Sequence, residues 1–139
     1  MGIYAWSFGG YFSAMAVMRR ADVFRAGVAG APVADWLDYD THYTERYMGL
    51  PAENVAGYRD ASALTWAKDL SAALLIIHGT ADDNVYFVHS LHLADALFRA
   101  GKHFELLPLP GFTHMVPDPL VVERLYGRIM SFFQEHVNP

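Results

Sequence analysis

Apolar positions come along this chain in two rhythms. Short continuous apolar runs alternate with longer stretches in which apolar residues recur every three or four positions. The clearest run is Ala73-Leu74-Leu75-Ile76-Ile77-His78, bounded by turn-forming residues. Such a run predicts a strand buried on both faces. Residues 2–5 predict a short opening strand. Residues 24–31 form a small-residue apolar run that stops at Pro32 and predicts a strand lying close to other backbones. Residues 104–109 predict a last strand, broken near its end by Pro108 and Pro110. The helical rhythm appears over 10–20, with Met15 and Met18 toward the core, and over 88–100, closed by Gly101. It returns over 120–136, with Leu120, Leu125, Ile129, Phe132 and Phe133 on one face.

The stretch 33–58 follows neither rhythm. It mixes Trp36, Tyr39, Tyr43, Tyr47 and Tyr58 with Asp35, Asp38, Asp40, Glu45 and Arg46. A helix is expected over 41–48, ended by Gly49-Leu50-Pro51, and a short one over 62–69. Strands alternating with helices predict an α/β architecture with a parallel sheet and flanking helices.

Composition narrows the picture. The 139 residues are enough for one packed core, and 53% of them are apolar, which excludes a disordered chain. A net charge of −5, with no basic run longer than Arg19-Arg20, argues against a nucleic-acid partner. With no cysteine, disulfides and thiolate metal sites are excluded, and the compartment stays open. No uninterrupted apolar stretch is long enough to span a membrane, and the first residues lack the charged and apolar regions of a signal peptide. No cofactor motif and no metal-ligand spacing stands out, and His89-x-x-His92 reads as a solvent-face pair on a helix.

Chemistry concentrates where strands end. Ala5-Trp6-Ser7-Phe8-Gly9-Gly10 runs from the first strand into the first helix. Small-x-Ser-x-Gly at such a junction is the layout of a nucleophile elbow, in which serine sits on a sharp turn at a helix N-terminus. There, free N–H groups and the helix dipole can meet an oxyanion. The usual first position is glycine, and here it is Ala5. The same stretch also suits a plain glycine turn with Ser7 as helix N-cap. Two further strand ends decide between these readings. Asp82 or Asp83 follows the third predicted strand, and His114 follows the fourth. In a parallel sheet these loops open on one edge, and the order Ser…Asp…His is that of α/β-hydrolases. His103, at the start of the last strand, falls at the opposite edge, and His78, at a strand end, is expected to be buried and hydrogen-bonded.

With these residues in place, the chain resembles the catalytic domain of the prolyl oligopeptidase (S9) family, most closely its dipeptidyl peptidase IV branch. Trp6-Ser7-Phe8-Gly9-Gly10-Tyr11 matches the elbow of that family. Ala31-Pro32-Val33 with Trp36, Tyr39 and the run from Tyr43 to Pro51 is similar to the branch signature, as is His78-Gly79-Thr80-Ala81-Asp82-Asp83-Asn84-Val85. Phe112-Thr113-His114 fits the histidine loop. The resemblance implies that 1–139 is the C-terminal half of an α/β-hydrolase fold, a partial catalytic domain. It implies a triad of Ser7, Asp82 (not Asp83) and His114, with the Phe8 N–H as oxyanion donor. It implies that Asn84 binds a substrate carbonyl. It implies that Val33, Trp36, Tyr39, Tyr43 and Val85 line a small apolar pocket for proline. The expected partner is a peptide, with no cofactor and no metal; a homo-oligomer stays open.

The resemblance also implies absences. The elbow begins almost at Met1, whereas the family places a β-propeller and earlier sheet strands before it. A propeller acidic pair that holds the substrate amino terminus and an upstream tyrosine oxyanion donor are expected to lie outside this chain. The four strands should then be sequential neighbours, with the elbow strand as an exposed edge. The expected activity of the full-length parent is removal of dipeptides with proline or alanine in second position, and the isolated 139 residues are expected to be weakly active or inactive. The alternatives are tripeptidyl or acylaminoacyl release, esterase activity, or an inactive piece acting as a binding module.

Overall fold

The computed structural model describes residues 1–137. Four strands, β1 (Gly2–Trp6), β2 (Ala26–Gly30), β3 (Ala73–Gly79) and β4 (Glu105–Leu109), form one parallel sheet in the order β1-β2-β3-β4. Helices α1 (Phe8–Arg19), α5 (Val88–Arg99) and α6 (Pro119–Val137) make the main crossovers and flanks. Between β2 and β3 lie α2 (Thr41–Met48), α3 (Val55–Ala61) and α4 (Ala63–Trp66), with single 3₁₀ turns at Trp36–Asp38 and Ala67–Asp69.

Strand side chains alternate between two layers. Ala29, Leu74 and Ile76 face α1 and α5, where Val17, Met18, Leu93 and Leu97 meet them. Val28, Leu75 and Ile77 face α6 through Leu125, Ile129 and Phe132. Because both faces of β2 and β3 are covered, these strands read as unbroken apolar runs. A third cluster of Val33, Trp36, Tyr58 and Val85 forms around the 33–58 excursion.

Glycines set the layer spacing. A Cβ on Gly27 would lie 2.6 Å from Val17 Cγ1, and one on Gly30 would lie 1.9 Å from Trp6 Cε3. β2 therefore brings α1 and the end of β1 closer than any larger residue permits.

Most expected elements appear, with shifts that have physical causes. Helix α1 starts at Phe8 instead of residue 10, because Gly9 and Gly10 serve close packing and remain helical. The 41–48 helix has the expected bounds, with Asp40 accepting the Tyr43 N–H and Gly49 at φ 72° closing it. The 62–69 helix is split into α4 and a 3₁₀ turn. Helix α3 was not expected; Asn54 opens it by accepting the Gly57 N–H at 3.1 Å. Leu120 does not join the buried face of α6: it is 60% exposed, in a first turn that follows exposed Asp118 and Pro119. No helix among the described residues is long and apolar enough to cross a membrane.

Candidate active site

The carboxyl ends of β1, β3 and β4 deliver Ser7, Asp82 and His114 to one place. Ser7 has φ 61° and ψ −122°. This conformation is strained for a residue with a Cβ, by about 1–3 kcal/mol. The surroundings enforce it. The Ser7 N–H donates to the Gly30 carbonyl at 2.8 Å, and the Ser7 carbonyl accepts the Tyr11 N–H at 3.1 Å. A Cβ on Gly10 would lie 2.2 Å from that Gly30 oxygen. A Cβ on Gly9 would lie 2.6 Å from the Ala5 methyl, so Ala5 fits because Gly9 faces it. The Ser7 side chain caps no helix N–H. Its Oγ lies 3.0 Å from His114 Nε2 instead.

Asp82 is buried and Asp83 is exposed. Asp82 Oδ1 accepts the backbone N–H groups of Asn84 and Val85, each at 3.0 Å. Its Oδ2 lies 2.7 Å from His114 Nδ1. A carboxylate only accepts, so Nδ1 carries the proton and Nε2 offers its lone pair to the Ser7 hydroxyl. The geometry thus orients one tautomer of His114 between an acceptor and a donor.

The two loops that carry Asp82 and His114 are stitched together. Thr80 N–H donates to Leu109 O, Ala81 N–H to Phe112 O, and Gly111 N–H to Thr80 Oγ1. Gly79 lies beneath them, where a Cβ would sit 2.3 Å from the Phe112 oxygen. Trp6 adds a tie that sequence reasoning missed: its indole N–H donates to the His114 carbonyl at 2.9 Å. The one available signal was strand alternation, which places Trp6 on the face opposite Ala5.

Phe8 is the first residue of α1. First-turn N–H groups such as that of Phe8 have no carbonyl partner within their own helix.

The predicted pocket residues assemble, but not into one cavity. Val33 and Val85 are buried in one cluster with Trp36 and Tyr58. Trp36 meets the rings of Phe8, Tyr11, Tyr39 and Tyr43 at centroid distances of 5.3–6.4 Å. Trp36 and Tyr43 border a cavity of about 660 Å³ with Phe8, Tyr11, Phe12 and Tyr47. Tyr39, Tyr43 and Asn84 border a second cavity of about 550 Å³, rimmed by Asp38, Asp40 and Asp83. Tyr43 stands between the two. The Tyr39 hydroxyl donates to Asn84 Oδ1 at 2.8 Å, which leaves the Asn84 amide N–H groups free for another acceptor. Burial, then the charges of Asp40, Tyr43 and Asp82, raise the Tyr39 phenol above its ordinary range, so it stays protonated as that donor.

The expected solvent-face pair of histidines is not one. His92 is surface-exposed and pairs with Asp38 at 2.9 Å. His89 is fully buried, and its Nδ1 accepts the Ala34 N–H at 3.1 Å. Burial pushes its imidazole below the usual range. His89 thereby ties α5 to the turn that carries Trp36, which helix periodicity alone could not reveal.

The profile of the prolyl oligopeptidase family, peptidase S9, matches residues 1–139. Dipeptidyl peptidase 8 of Mus musculus is 42% identical over 140 aligned positions, covering 99% of this chain and 16% of that protein. Dipeptidyl peptidase 4 of Sus scrofa is 37% identical over 138 positions, covering 97% of this chain and 18% of that protein. The crystal structure of Porphyromonas gingivalis dipeptidyl peptidase 4 superposes with a TM-score of 0.93 at 40% identity, over 97% of this chain and 19% of that one. The chain therefore spans less than a fifth of the length of these relatives, and its four-stranded sheet with flanking helices is that of an α/β-hydrolase. On the family match over its whole length, the chain belongs to the prolyl oligopeptidase family, peptidase S9.

Proposed function

We propose that Ser7, Asp82 and His114 are the catalytic triad of a serine peptidase that releases dipeptides with proline or alanine in second position. The observation that carries this reading is the continuous relay from Asp82 Oδ2 through His114 to Ser7 Oγ, at 2.7 and 3.0 Å, in a chain of this family. In this reading His114 Nε2 takes the Ser7 proton as Oγ attacks the scissile carbonyl carbon. Asp82 holds the tautomer and stabilises the imidazolium. The Phe8 N–H meets the developing oxyanion. His114 returns the proton to the leaving amine, and water then cleaves the acyl-enzyme by the same route.

The substrate class is supported by the relatives and by the site walls. The relatives are dipeptidyl peptidases. The rings of Trp36, Tyr39 and Tyr43 suit a flat, apolar pyrrolidine. In this reading Asn84, held by Tyr39, donates to a peptide carbonyl.

A fluorophosphonate probe tests the triad without requiring peptide recognition. Mass spectrometry of the labelled full-length parent is expected to find the adduct on Ser7. His114→Ala is expected to slow labelling about 10³-fold or more. Labelling that survives Ser7→Ala sinks the assignment. Chromogenic substrates with free, blocked and extended amino termini then separate dipeptidyl from acylaminoacyl and tripeptidyl release.

A further inference from the structure

His78 is the penultimate residue of β3, its side chain fully buried, and the proposed relay does not use it. Both ring nitrogens have partners. Nε2 lies 2.8 Å from the Val85 carbonyl oxygen, which can only accept, so Nε2 carries a proton. Burial lowers the imidazole from its ordinary range and keeps it neutral, which leaves Nδ1 as an acceptor. Ser90 supplies that donor, with its Oγ at 2.7 Å. The same Nε2 lies 3.2 Å from Asp82 Oδ2, the oxygen that His114 Nδ1 meets at 2.7 Å. Val85 closes the circuit, giving its N–H to Asp82 Oδ1 and its carbonyl to His78.

We propose that His78 is a positioning residue for the Asp82–His114 pair: fixed as the Nε2–H tautomer, it holds the Asp82–Val85 turn and shares Asp82 Oδ2 with His114. Its catalytic meaning rests on the triad reading above, whereas the coupling of the two imidazoles through one carboxylate oxygen does not. The ionisable groups that face His78 are Asp82, His114 and His89; its other neighbours, Ser90 and Phe87, are neutral. Because the His78 N–H draws on the negative charge of Oδ2, less of that charge is left to stabilise a His114 imidazolium. Removing the donor should therefore make His114 hold its proton more tightly. Loss of packing alone would lower stability without that effect.

Nitrogen-15 NMR of the imidazoles in this chain tests the proposal. In the unmodified chain, His78 is expected to hold its proton on Nε2 and to remain predominantly neutral from pH 8 down to the ordinary histidine midpoint of about 6.5. A proton on Nδ1, or a charged ring in that window, overturns the proposal without any variant. In His78→Leu, the midpoint of the His114 titration is expected to rise by about half a pH unit, or about threefold in proton affinity. His78→Gln keeps a side-chain N–H near the Nε2 position, and it is expected to bring the midpoint back. An unmoved or lowered midpoint in a folded His78→Leu chain, or a Gln variant that behaves like Leu, overturns the proposal. If His78→Leu does not fold, the Gln variant and the tautomer of the unmodified chain still decide. Failure of the probe to label Ser7, with His78 and His114 coupled as described, would sink the triad and leave the coupling standing.

Discussion

At the Ser7 turn backbone approaches backbone, whereas between Val33 and Tyr58 side chain approaches side chain. Gly10 stands where a single added carbon would lie 2.2 Å from the Gly30 carbonyl oxygen, and that carbonyl also accepts the Ser7 N–H. Neither partner can swing aside, because both belong to regular elements. The excursion instead builds its wall from Trp36, Tyr39, Tyr43 and Tyr47, rings on short 3₁₀ and helical turns whose exposure rises from 6% at Trp36 to 69% at Tyr47. The first region tolerates almost nothing and sets where Ser7 points. The second grades from core to surface, so its shape can change while Ser7 stays fixed. Under the proposed function, a site divided in this way would separate bond-making geometry from the choice of substrate.

The sharpest test of that division adds one methyl group. Gly10→Ala is expected to destabilise the chain by about 3 kcal/mol or more, since over-packing against fixed backbone cannot be relieved by a rotamer. The strained Ser7 conformation should be lost with it, and probe labelling should fall even where the fold survives. Gly127→Ala is the matched control. Gly127 lies in α6 with nothing near an added Cβ, so the same change should be neutral or stabilising by up to about 1 kcal/mol. Urea unfolding of the two variants measures the difference. Equal costs at both positions would break the claim that the elbow is limited by backbone contact.

The two regions also differed in how much of them the amino-acid order disclosed. The elbow, the Asp82 turn and the His114 loop were legible because each carries its constraint locally: glycines beside a serine, a short Asp-Asp-Asn turn after an apolar run, a histidine after a proline-broken strand. Their meeting at one sheet edge follows once β1, β3 and β4 run parallel in a single sheet. The excursion was legible only as aromatic and acidic. Helix α3 escaped because a seven-residue helix capped by Asn54 has too few turns to show a period. The burial of His89 escaped because its partner, the Ala34 N–H, lies 55 residues away. The tie from Trp6 to the His114 carbonyl spans 108 residues and leaves no local pattern. Trp36, Tyr39, Tyr43 and Asn84 are divided between two cavities while Val33 and Val85 pack in the buried cluster, a tertiary outcome that spacing does not determine.

Acid tests the excursion next. His78 and His89 are both held below the ordinary histidine value, mainly by burial. In the unfolded chain each would take up a proton near pH ~6.5. Between that value and the lower folded one, the unfolded state binds more protons, so stability falls as pH drops. The contribution is complete above pH ~6.5 and is lost progressively below it. His89→Asn should flatten this slope, because its Oδ1 stands near the Nδ1 position and keeps an acceptor for the Ala34 N–H without titrating. Asp38 and Asp35, which face His89, favour its charged form and limit the depression. Urea midpoints at pH 8 and about pH 5.5, on either side of the unfolded histidine value, compare the two chains. An unchanged slope in the variant would mean that His89 is not the group that couples α5 to the Trp36 turn.

The smallest effect belongs to the rim of the excursion. The Tyr39 hydroxyl donates to Asn84 Oδ1 in a solvent-exposed bond, so Tyr39→Phe should cost about 0.5–1 kcal/mol of stability at most. Probe labelling should stay within about twofold, because losing this one hydroxyl leaves Ser7, Asp82 and His114 untouched. The change should appear instead in peptide binding. Under the proposed function, Asn84 without its anchor can turn its amide away from a substrate carbonyl, so in the full-length parent KM for a dipeptide substrate should rise by about fivefold, the equivalent of one neutral hydrogen bond, with kcat nearly unchanged. A fall in labelling as large as the loss in peptide binding would place Tyr39 with the elbow, not with the pocket wall. The separation of the rigid Ser7 turn from the adjustable wall would then fail at Tyr39, one hydrogen bond from the turn that Asp82 holds.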